Sequence, residues 1–201
     1  MWYCYAIPLL RKRRSMIAVL KLLLNTTLGY PDDMGFKKTS ETIAISFGLA
    51  ETAPNTFTQE EVSLQLDVLN NEIFVVVAID QDLNSPDAIA ATDTQVSASL
   101  CTTSQTALGL LSNTNCLSAA QKSIRAAGFI DGGVGFDRKA DSTYTGDVDY
   151  IGLIATNNFF VQVQGLNNLV AKGVTGRVWG YRARADASTY AALVQSEVLS
   201  A

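Results

Sequence analysis

Residues 72–80 read EIFVVVAID, Glu72 to Asp80. Phe74 to Ile79 is an unbroken apolar run rich in β-branched side chains. Asn70-Asn71 bounds it on one side and Asp80-Gln81-Asp82 on the other. The run has strand length and is too short for a buried helix. A strand without polar alternation is covered on both faces, so the rest of the chain must supply two layers of cover.

Working outward, the neighbouring segments alternate. Thr42–Leu49, TIAISFGL, sets Ile43, Ile45, Phe47 and Leu49 against smaller or polar residues, the period of a half-buried strand. Glu61–Val68 does the same with Val62, Leu64, Leu66 and Val68. Its short link Leu69-Asn70-Asn71 predicts an antiparallel hairpin with the central run. Downstream, Asp80–Thr94 reads as a loop and Gln95–Cys101 as a strand. Ser104–Ala127 is open to one short helix or two weak strands and is read as a long connection with a helical turn near Ser118–Arg125, and Phe129–Gly146 as loop. Tyr150–Ala155 and Phe159–Gln164 read as a strand pair joined at Asn157-Asn158.

Val174–Arg184 alternates Arg177, Trp179 and Tyr181 with Val174, Gly176, Val178 and Gly180. Aromatics facing small residues suit tight sheet packing. Asp186 is a candidate N-cap for an amphipathic helix over Ser188–Leu199, with Tyr190, Leu193, Val194 and Val198 on its apolar stripe. The fold class expected is all-β, an antiparallel β-sandwich of jelly-roll-like form with a short C-terminal helix.

Composition narrows the chemistry. The chain has 201 residues, 48% hydrophobic and only 17% charged, against a usual charged share of about 25%. A surface so poor in charge suits cover by other subunits. There is no histidine. That removes Ser-His-Asp and Cys-His arrangements, histidine-bearing zinc sites and the usual neutral-pH general base. The three cysteines, Cys4, Cys101 and Cys116, lack C-x-x-C spacing and read as buried free thiols; a Cys101–Cys116 bridge is possible but not indicated. No catalytic residue, cofactor-binding residue or small-molecule substrate is predicted, and the expectation is that the protein is not an enzyme.

The metal candidates are Asp80, Asp82, Asp87 and Asp93. Asp80-x-Asp82-x-Asn84 copies the opening of a calcium loop, but Ser85 stands where an EF-hand needs glycine and Ala91 where it needs glutamate. A looser calcium site on those four aspartates competes with a solvated turn. Asp141, Asp147 and Asp149 form a second acidic group. Gly132-Gly133-Val134-Gly135 lacks the spacing of a phosphate loop and reads as a glycine turn. Arg177, Arg182 and Arg184 with Trp179 and Tyr181 have the composition of a base-stacking strand, although ordinary cross-strand contacts account for them.

Residues 1–33 stand apart from the domain expected over 34–201. Arg11, Lys12, Arg13, Arg14 and Lys21 outweigh Asp32 and Asp33 there, while the remainder is acidic within a net charge of −4. The segment suits an interfacial basic helix touching membrane or a basic arm touching nucleic acid through Arg11, Lys12, Arg13 and Arg14. It equally suits upstream sequence before a later start, the candidate starts being Met1, Met16 and Met34.

The segment Arg177–Ser200, RVWGYRARADASTYAALVQSEVLS, closing a β-rich body with long polar loops, resembles small viral structural proteins of the single jelly-roll kind. The resemblance implies a capsid subunit located in the virion, which self-associates through its sandwich into a large homo-oligomer. A secreted or surface carbohydrate- or calcium-binding sandwich is the competing expectation.

Overall fold

The computed structural model describes residues 35–126, 133–140 and 149–199. The basic cluster, the candidate starts Met1, Met16 and Met34, Cys4, Gly132, Asp141 and Asp147 lie outside the described residues, as does the boundary expected at residue 33.

The strands in chain order are β1 (Phe36–Lys38), β2 (Ile43–Ala50), β3 (Thr58–Ser63), β4 (Glu72–Leu83), β5 (Thr94–Cys101), β6 (Cys116–Arg125), β7 (Val134–Ala140), β8 (Gly152–Ile154), β9 (Asn158–Leu166) and β10 (Gly173–Ala185), followed by the helix α1 (Ala187–Leu199). In the first sheet β10 pairs with β4, and β8 lies beyond β4. Along its other edge β10 takes β2 over Gly173–Gly180 and β1 over Ala183–Ala185. The second sheet has the order β3-β9-β5-β6-β7. Every pairing is antiparallel.

Setting aside β1 and β7, β2-β10-β4-β8 faces β3-β9-β5-β6. That strand order is a jelly roll, two Greek keys wrapped into facing sheets. The expected fold class is the observed one.

The central run explains itself through one irregularity. Trp179 pairs with Ala78 but Gly180 pairs with Val76, so Val77 is an extra residue on β4. A bulge of this kind reverses which face the following residues occupy. Phe74 and Val76 before it, and Ile79 and Leu83 after it, therefore all enter the core between the sheets, with Val96, Leu100, Phe159, Val161 and Val163 from the other side. Ile73 and Val75 face the opposite way and form a second cluster with Ala183, Tyr190, Leu193 and Val194 beneath α1. Cover on both faces thus holds for the first half of β4 only. Past the bulge, the positions that alternate with core residues are Asp80 and Asp82, both exposed. The glycines of β10 serve the same core: a Cβ at Gly180 would collide with the Phe74 ring, and one at Gly176 with the Phe47 ring. Phe47 in turn meets Phe159 edge-on across the sheets, centroids 6.3 Å apart.

Several local expectations are corrected. The Glu61–Val68 strand ends at Ser63, and β3 pairs with β9 in the opposite sheet, so there is no β3–β4 hairpin. Gln65 adopts φ 51° and Asn71 φ 53°, carrying the chain from one sheet to the other while Leu64 and Leu66 stay buried. Likewise β8 and β9 belong to different sheets. The helical turn expected at Ser118–Arg125 is strand β6, whose buried positions are Ser118, Ala120 and Ser123. Side chains that small carry little hydropathy signal. Val134–Ala140, expected as loop, is edge strand β7. The acidic loop begins only after Leu83, because β4 runs through Asp80 and Asp82.

The helix forms where expected. The Asp186 carboxylate accepts from the Thr189 backbone N–H at 2.6 Å and from the Ser188 hydroxyl at 2.7 Å, and these bonds hold it below the usual carboxylate range. Val198 is the exception on the stripe, being 66% exposed. Among the described residues no helix is long and apolar enough to cross a membrane.

Candidate functional site

The four candidate aspartates are not brought together. Asp80 stands opposite Arg177 in the β4–β10 ladder. Asp82 lies 3.3 Å from Lys122 Nζ. Asp93 takes Arg125 at 2.9 Å and the Ala126 N–H at 2.8 Å, and its pKa falls because of them. Asp87 takes Lys172 Nζ at 2.6 Å and the Leu169 N–H at 2.9 Å, again with a lowered pKa. Asp82, Asp87 and Asp93 are each in an ion pair, and among the described residues no three acidic, histidine or cysteine side chains gather to hold a metal.

Asp87 instead belongs to a network at one end of the sandwich. Glu51, buried just past β2, accepts from Gly165 N–H at 2.6 Å and Lys172 N–H at 2.8 Å. Asn168 accepts from Asp87 N–H at 3.0 Å and donates to the Gln95 carbonyl at 2.7 Å. Asn55 accepts from Asn168 N–H at 2.7 Å and donates to the Asn168 carbonyl at 2.9 Å. Asn55 and Asn167 have φ of 62° and 57°, which asparagine tolerates better than most residues. The loops after β2, β4 and β9 are thereby tied to one another. Buried polar groups whose partners are all in place make a rigid base.

On that base stand apolar side chains in water. Leu166 is 51% exposed, Leu169 74% and Val170 56%. Exposed apolar side chains gathered at one loop are a candidate place for contact with another molecule. Other exposed apolar side chains lie elsewhere: Val68 and Leu69 before β4, Val134 and Phe136 on edge strand β7, and Leu110 and Leu111 in the loop before β6. Those leucines border a shallow cavity of about 370 Å³ with Gln95, Ser97 and Arg138.

The arginine strand does not form a continuous groove. Arg182 is occupied by the carbonyls of Leu64 and Gln65 at 3.0 and 3.1 Å and by Glu72 at 3.2 Å. Tyr181 packs into the cluster under α1, with Lys38 Nζ 4.7 Å from its ring centre. Gly135 lies within β7 rather than in a phosphate-binding turn.

The loop-end network was beyond sequence reasoning. Asn55 and Asn167-Asn168 mark turns, but nothing local pairs turns more than a hundred residues apart. A glutamate directly after an alternating strand, as at Glu51, was the one signal available.

The fold and this surface define a jelly-roll domain with an exposed apolar end. No protein-family model matches the chain, and no curated protein matches it. Among solved structures, a chain from Desmodium yellow mottle tymovirus matches over 74% of this chain and 91% of its own, at 12% identity and a TM-score of 0.27. An overlap that loose carries no weight for fold or role; the class rests on this chain's own strand order.

Proposed function

We propose that this protein is a virion structural protein, a capsid subunit that self-assembles through its β-sandwich. The observation that carries the reading is the apolar end formed by Leu166, Leu169 and Val170, held out of the core by a fully bonded polar base. Jelly rolls recur in viral capsids, lectins and cupins. Cupin and lectin chemistry calls for a ligand set gathered at one place, and here the acidic residues are dispersed among the described residues and the chain lacks histidine. A low-charge surface with apolar loop tips suits repeated contacts between copies. Catalysis has no part in this reading.

The test is the size of the purified full chain by light scattering and electron microscopy. Large closed particles are expected. Leu169→Asp with Val170→Asp should leave the cooperative melt intact and abolish the particles. A monomer at all concentrations overturns the proposal. A melting temperature raised by calcium would favour the carbohydrate- or calcium-binding alternative instead.

A further inference from the structure

Cys101 ends β5 and Cys116 begins β6, and the two are direct partners in the antiparallel ladder. That pairing depends on a bulge. Leu100 pairs with Ser118, so Leu117 is an extra residue on β6. Plain alternation would turn Cys116 to the same face as Ser118, towards the core; the bulge turns it out beside Cys101. Directly opposed residues in an antiparallel pair have Cα atoms about 4.5–5.5 Å apart, inside the range of about 4.4–6.8 Å that a disulfide needs. Both sulfurs lie under Gly109, within contact of the point where a Cβ there would stand. They therefore share one face and one gap. Both are free thiols.

We propose that Cys101 and Cys116 are a dithiol that closes to a disulfide on exchange with a small-molecule disulfide such as glutathione disulfide. The proposal is independent of the assembly reading. Cys116 is partly exposed and Cys101 fully buried, which assigns the order of attack. The Cys101 thiol hydrogen-bonds to the Cys116 sulfur, holding Cys116 below and Cys101 above the usual thiol range. The Cys116 thiolate attacks one sulfur of glutathione disulfide, the S–S bond breaks, and one glutathione leaves as thiolate. The Cys101 sulfur then displaces the second glutathione from Cys116, and the Cys101 proton passes to the leaving glutathione thiolate. Two protein thiols are oxidised by two electrons, and one glutathione disulfide is reduced to two glutathiones.

The local structure accepts the product. Cys101 Sγ lies 3.4 Å from Gln162 Oε1, the alternative acceptor for its single proton, and this option is lost on oxidation; Ser99 Oγ donates to the same oxygen at 2.6 Å. The bridge would close the loop 102–115 at its base. That loop lies over Ser99 through the Gly109 N–H at 2.9 Å and carries the exposed Leu110 and Leu111.

The experiment uses the full chain, folded, incubated with glutathione disulfide, quenched with iodoacetamide and mapped by mass spectrometry without reduction. The expected result is a linked Cys101–Cys116 peptide with Cys4 alkylated, a raised melting temperature, and reversal of both by dithiothreitol. Cys116→Ser should remove the linkage and leave Cys101 unmodified by glutathione. Closure should be faster in the folded chain than in urea. Alkylation of both thiols after long exposure, glutathione retained on Cys116, a linkage through Cys4, or closure no faster than in urea would each overturn the proposal. The linkage is read on the unmutated chain, so the outcome stands whether or not the serine variant folds.

Discussion

Val76 pairs with Gly180 on one side and Gly152 on the other, and its side chain is fully buried between the sheets. Val76→Asp should abolish folding. An unpaired carboxylate there would be desolvated at a cost of several kcal/mol, comparable to a domain's whole stability. A soluble variant that still melts cooperatively would show that β4 is not central. Glu51 acts at the same scale by hydrogen bonding. Glu51→Ala leaves the N–H groups of Gly165 and Lys172 without their acceptor, and two buried unsatisfied donors cost about 2–6 kcal/mol together. Urea denaturation should show a loss of that order. An unchanged midpoint would mean that water reaches those amides and that the loop end is not rigid.

Helix α1 is the element that covers the second face of β4 over its first half, at Ile73 and Val75. Its inward residues differ from its stripe as read along the sequence: Leu193 packs over Ile73 and Val75, whereas Val198 points to solvent. Leu193→Ser should lower stability by about 1–2 kcal/mol, in line with partial burial of a leucine, and Val198→Ser should leave the melt unchanged. Equal effects of the two would place the helix differently. Glu197 is the buried residue of this helix, accepting from the Ala155 N–H at 3.0 Å, and burial raises its pKa. A carboxyl raised above its unfolded value contributes stability that is full below the unfolded value and is lost as pH rises through the folded one. It also carries negative charge into the last turn, against the helix dipole. Glu197→Gln should therefore melt higher than the parent at pH 8 and converge with it near pH 4. A variant that melts lower at pH 8 would mean that the ionised form holds the helix in place.

At the scale of the whole molecule, the strands from β1 to α1 contain both apolar clusters and both sheets. The chain from Met34 onward should fold alone, melting cooperatively with the far-ultraviolet spectrum of a β protein. If it is unfolded while the full chain folds, residues 1–33 belong to the core. On the proposed capsid reading, assembly is carried by the loop end rather than by the core, and the Leu169→Asp and Val170→Asp variants should separate it from folding.

What the sequence by itself determined was local: a strand at EIFVVVAID, alternating strands around it, and a helix capped by Asp186. Each is written in nearest-neighbour chemistry, as periodicity or as a side chain bonding its own backbone. The two-sheet class followed, because a strand without a wet face demands cover on both sides. Only the tertiary structure decided which strands pair. Alternation reports which face of a strand is dry but not which neighbour it hydrogen-bonds, so the partners expected for β3 and β8 differ from those observed, and of the dry face expected over Glu61–Val68 Leu64 and Leu66 are buried while Val68 is exposed. Where the inner positions are serine and alanine, as in β6, even the periodicity disappears. The dispersal of the four aspartates, the tie between Glu51, Asp87 and Lys172, and the opposition of Cys101 to Cys116 come from the same source. Each joins residues distant in sequence, and two of the decisive steps, the bulges at Val77 and Leu117, are single-residue register shifts that leave no trace in composition.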